Sequence, residues 1–123
     1  MDATCQPNAT LDLSPKKNDY RAIVIDVLNQ FLHASKDEIE TVPVFDTVHD
    51  RYQLLDLGWR GEDERVFLPI VHLDLINGKV WIQENRTDVD IARSLMQAGV
   101  ERQDIVLGLH PPSFRQMGDY AIE

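Results

Sequence analysis

Apolar residues fall at Tyr20, Ile23, Val24, Val27, Leu28, Phe31 and Leu32, a three-one alternation that lays a single stripe along a helix. Asp19, Arg21, Asp26 and Gln30 take the other faces. Ser14-Pro15 supplies the start, a hydroxyl cap with a proline in the first turn, and the run stops around Ser35-Lys36. Residues 1–13 show no sustained periodicity and read as a flexible N-terminal tail. Residues 14–123 then form one domain.

The pattern next shortens to strand-like segments over Val42–Thr47, Arg51–Trp59, Val66–Ile76 and Lys79–Asn85. Pro43 has no N–H to give to a ladder, so its strand belongs at an edge. Arg60 to Glu64 is a polar turn. Asn77-Gly78 tolerates the positive φ of a tight type I′ turn and predicts a hairpin. That turn sets Leu75 opposite Val80 and Leu73 opposite Ile82, on a core face that the first helix covers. Asp74 opposite Trp81 and His72 opposite Gln83 lie on the second face. Pairing Trp59 with Arg65 adds Leu55 and Leu57 to the core face and sends Tyr52, Leu54, Leu68 and Ile70 to the second. A face so rich in apolar groups needs a cover. A second copy in a homodimer, another protein or the chain's own C-terminal segment would each supply one.

Thr87 with Asp90 three residues on has the spacing of a capping box. It opens a second helix with Ile91, Ala92, Leu95 and Met96 on one stripe and Gly99 as its stop. Asp104–Gly108 is too short to assign by periodicity, and His110-Pro111-Pro112 reads as an extended connector. Phe114 to Ile122 reads as a short tail that packs back as a turn or strand. The fold class expected is α+β: a four-stranded antiparallel meander with an N-terminal helix and a C-terminal helix.

Charge narrows the function. Twenty-one Asp and Glu outnumber twelve Lys and Arg, giving a net charge of -9. Phosphate contacts need concentrated cations, and here no basic run exceeds Lys16-Lys17, so direct nucleic-acid binding is not expected. The lone Cys5 excludes an intramolecular disulfide and makes no metal cluster. No apolar stretch is long enough to cross a bilayer and the start lacks the features of a secretion signal, so a cytoplasmic protein is expected.

Candidate chemistry is sparse. His72 and Asp74 alternate on one strand and share a face, the geometry of two metal ligands or of a base with its orienting carboxylate. Two residues are fewer than the three protein ligands of most zinc catalysis, and a polar pair in a sheet or interface is the simpler reading. His49 and His110 are the other histidines that could converge there. Glu62-Asp63-Glu64 lacks the alternation and glycine of a calcium loop and reads as a solvated turn. No phosphate-cradling glycine pattern or nucleophile motif is present. No catalytic, metal or cofactor-binding residue is assigned, and no cofactor is expected. Trp59 reads as core, whereas Trp81 beside Asp74 suits either core or interface. The candidate interaction face is Tyr52, Leu54, His72, Asp74, Trp81 and Gln83.

From Phe45 onward the chain resembles the XisI family of excision-controlling factors. The residues that carry the resemblance are Phe45-Asp46-Thr47, Tyr52-Gln53-Leu54 with Gly58-Trp59, and Val71-His72-Leu73-Asp74. Gly78 to Gln83, Ile91-Ala92, Gly99-Val100, Asp104 to Gly108 and His110-Pro111-Pro112 with Arg115 complete it. The chain departs from the family before Tyr20 and after Gln116. The resemblance implies a non-enzymatic accessory protein for excision of the fdxN element by a separate site-specific recombinase. It also implies a protein partner, either an XisH-type companion or the recombinase itself. A small metal-dependent enzyme built on His72 and Asp74, or a direct DNA-binding cofactor, are the alternatives.

Overall fold

The computed structural model describes residues 15–32 and 38–123. The Ser14 cap, the tail over 1–13 and the stop at Ser35-Lys36 lie outside the described residues.

Helix α1 spans Pro15–Asn29, with proline at the position where a missing N–H costs nothing. Its stripe is the predicted one: Tyr20, Val24, Val27 and Leu28 are buried, with Ile23, Phe31 and Leu32 packed at the margin. Strands β1 (Ile39–Asp46), β2 (Arg51–Arg60), β3 (Glu64–Ile76) and β4 (Lys79–Asn85) follow as an antiparallel meander. Pro43 lies on the edge strand β1, as its missing donor requires. Asn77 and Gly78 both adopt positive φ, 52° and 79°, in the β3–β4 turn.

The sheet has five strands rather than four. After helix α2 (Ile91–Ala98) and a 3-10 turn at Arg102–Asp104, strand β5 (Ile105–Val106) adds beside β4 in parallel. A two-residue strand carries no period of its own, and it takes its identity from pairing with Val80 and Trp81. A short helix α3 (Pro112–Arg115) follows, and Ala121 then bridges back to Val106. The sheet is therefore mixed.

Helix α2 starts one turn later than the Thr87 reading placed it. Asp90 is the cap, its carboxylate accepting from the Arg93 N–H at 3.1 Å, while Thr87 Oγ1 donates to Asn85 Oδ1 at 2.6 Å in the preceding turn. Gly99 ends the helix at φ 120°, its N–H reaching back to the Leu95 and Met96 carbonyls.

Two irregularities change the faces. Between Leu54 and Leu55 the register jumps from Val71 to Pro69, which leaves Ile70 as an extra residue on β3. Because side chains alternate with period two, that one residue exchanges the two faces of β2. Tyr52 and Leu54 thus face inward with Val71, Leu73 and Leu75, and all are buried under the helices. Leu55, Leu57 and Trp59 face outward. A second jump pairs His72 with Glu84 rather than Gln83, leaving Gln83 as the extra residue on β4.

Candidate functional site

The outer face carries a linear polar network on β2, β3 and β4. Gln53 faces His72 across the ladder, and its amide Nε2 lies 2.8 Å from His72 Nδ1. An amide nitrogen can only donate, so Nδ1 accepts and the ring proton sits on Nε2. That Nε2 donates to Asp74 Oδ1 at 2.7 Å. Asp74 is 5% exposed, and its second oxygen accepts from Gln83 Nε2 at 3.3 Å, with Arg51 Nη1 at 3.7 Å. Both ring nitrogens and both carboxylate oxygens are engaged. With Nδ1 accepting from Gln53, the ring offers no free nitrogen to take a proton as a general base, and the network ties β2, β3 and β4 together across the outer face.

Among the described residues no group of three His, Cys, Asp or Glu converges on a metal-sized site. His49 instead pairs with Asp46 at 2.8 Å in the β1–β2 turn, where backbone N–H bonds from His49 and Val48 hold the Asp46 carboxyl below its ordinary range. His110 lies in the C-terminal segment, its ring tilted against Phe114. Glu62 and Asp63 are exposed in the β2–β3 turn, and Glu64 pairs with Arg60 at 2.9 Å.

Of the six residues expected to form an interaction face, four share the outer face: His72, Asp74, Trp81 and Gln83. Tyr52 and Leu54 do not. Both are fully buried on the opposite face, because the Ile70 bulge exchanges the faces of β2. Pro69 is the signal in the sequence that marks this bulge, since proline within a sheet sits at edges or irregularities. Trp59, expected in the core, is 44% exposed on the outer face for the same reason. Trp81 is half-buried under the C-terminal segment: the Arg115 guanidinium lies 5.2 Å from its ring centroid, and Gly108 passes close to its six-membered ring. Lys79 Nζ donates to the carbonyl of Glu123, and Arg115 donates to the carbonyls of His110 and Ile122. Of the three covers expected for the second face, the C-terminal segment covers the β4 end.

Tyr52 belongs to a different cluster, which the sequence did not reveal because Arg21 lies 29 residues before Asp50. Its hydroxyl donates to Asp50 Oδ1 at 2.8 Å, and Arg21 of α1 grips both Asp50 oxygens at 2.9 and 3.2 Å. Burial first, and then the hydrogen bond to Asp50, push the Tyr52 phenol up to about 12. The Asp50 hydrogen bond raises Arg21 in turn. This cluster clamps α1 to the sheet.

The sequence matches the family model described as XisI protein over residues 15–122. A crystal structure of the fdxN element excision controlling factor XisI from Anabaena variabilis ATCC 29413 is 32% identical and superposes with a TM-score of 0.75. That match covers 88% of this chain and 99% of the other. A XisI-like protein from the same organism is also 32% identical, with a TM-score of 0.71 and coverage of 89% and 97%. No curated protein matches the chain significantly.

Proposed function

The chain belongs to the XisI family, and from that premise we propose that it is an accessory factor controlling excision of a DNA element through a protein partner. The observation that carries the reading is the pairing of this family with an acidic, chemically quiet surface. The net charge of -9 opposes binding to a polyanion, so the factor reaches DNA through another protein. An XisH-type companion or the site-specific recombinase is the partner this reading names. A basic protein surface suits it, since complementary charge speeds encounter and selects partners.

The alternatives are weaker on the same grounds. A His72/Asp74 enzyme lacks a free base nitrogen, because Gln53 occupies it. A direct DNA-binding cofactor needs a cationic stripe, whereas the cations Arg21, Arg51, Arg60 and Arg86 sit beside carboxylates. No helix among the described residues is long and apolar enough to cross a membrane. The test is reconstituted excision: recombinase, companion and a plasmid-borne element, with and without this chain, scored by the excised junction. A junction that depends on this chain, or is suppressed by it, supports the reading. Excision indifferent to its presence overturns it.

A further inference from the structure

Beyond the Ile70 bulge, β1, β2 and β3 continue as a three-stranded arm. On its outer face Leu57 pairs with Phe67, Leu55 with Pro69 and Trp59 with Arg65. Phe67 is 65% exposed, Trp59 44%, and Val44 on the edge strand 45%. Isolated exposed apolar residues are ordinary, but here Phe67 pairs with Leu57, Pro69 with Leu55 and Leu55 with Val42, with Trp59 and Val44 two residues further along the same face, so the apolar groups form one strip, which marks an interaction surface. Acidic residues line the β1 side and the tip of the strip: Glu40 sits across from Leu57, Glu38 lies beside Gly58, and Glu62-Asp63 caps the tip. The two cations of the arm are committed, Arg60 to Glu64 and Arg65 over the Trp59 ring at 5.3 Å.

Two occupants from this chain are disfavoured. The C-terminal residues of the structure are held at the β4 end, where Arg115 lies over Trp81, Ala121 bridges to Val106 and Lys79, opposite Ile76, donates to Glu123, and Phe67 lies nine residues from Ile76 along β3. At the strand rise that is about 30 Å. A second copy laid on the same face would bring two acidic borders together between chains of charge -9. We infer that the outer face of the β2–β3 arm is the docking surface for a partner with a basic rim and apolar anchor side chains. Apolar groups in such a contact supply the affinity while the flanking charge supplies selection. This inference rests on the partner-binding reading and places the contact away from the His72–Asp74 network.

The test uses the XisH-type companion as probe and titrates it against the full chain, Trp59→Ser/Phe67→Ser and Trp81→Ala, with acrylamide quenching of Trp59 followed in parallel. The expected result is a loss of at least about tenfold in affinity for the double variant, with unchanged circular dichroism and thermal midpoint. Trp81→Ala binds within about twofold of the parent, and Trp59 is quenched in the free chain and protected in the complex. A complex that forms equally well with the double variant overturns the docking surface while leaving the partner-binding reading intact. No complex with the unmodified chain overturns both. Sedimentation that shows a dimer dissociated by Trp59→Ser/Phe67→Ser assigns the strip to a second copy and overturns the inference. Trp59 shielded in the free monomer does the same.

Discussion

Asp50 closes the β1–β2 turn at φ 57°, a conformation that Asp and Asn tolerate better than most residues. Its carbonyl accepts from the Leu75 N–H at 2.9 Å while its side chain holds Arg21 and Tyr52. One residue therefore joins helix, turn and central strand. Replacing it by asparagine keeps the backbone preference and removes the charge. Asp50→Asn is expected to cost about 1–3 kcal/mol in urea unfolding, the cost of a weakened buried charge-assisted network. Tyr52 makes the cluster sensitive to alkali. Its phenol holds its proton to about 12 in the folded chain, against 10 for the unperturbed group. The folded state thus binds that proton more tightly, so its contribution is full below about pH 10 and lost as pH rises toward 12. In alkaline unfolding, Tyr52→Phe is expected to lose stability less steeply than the parent across that window.

At the scale of elements, what could be read in advance is what local period determines. The α1 stripe, the Asn77-Gly78 hairpin and the Gly99 stop follow from spacing and turn chemistry within a few residues, and the structure has them. The faces of β2 were only partly legible: Pro69 marks an irregularity in β3, but which residue is extra, Ile70, only pairing across strands reveals. Strand β5 was hidden for a related reason, since its two residues gain strand geometry from β4 alone. Gly58 shows the arm's own constraint. At φ 153°, a Cβ there would lie 1.8 Å from the Glu38 carbonyl oxygen, the same oxygen that accepts from the Trp59 N–H at 3.0 Å. Gly58→Ala is expected to push the start of β1 off the sheet and cost about 2–4 kcal/mol. Hydrogen exchange checks this: the Trp59 amide loses protection, while amides of α2 keep theirs.

Across the whole molecule, the two sheet faces have separate duties. The inner face is filled by α1 and α2 and carries the stability, with Val24, Leu28, Tyr52, Leu54, Leu73 and Leu95 fully buried. The outer face divides into a hydrogen-bonded polar network, a stretch under the C-terminal segment and the acidic-bordered apolar arm. Charge balance was visible in composition, where it argues against direct nucleic-acid binding. The position of the apolar strip was not visible, because it comes from the exchanged faces of β2. A surface of this kind forms contacts that weaken with salt but do not vanish, since the apolar part is unscreened. The most direct test of the account is a calorimetric titration of the XisH-type companion into this chain at about 50 mM and about 300 mM salt. A stoichiometric complex that binds more weakly at the higher salt is the result the account predicts. No complex at either salt, with the chain alone retarding duplex DNA, would contradict it.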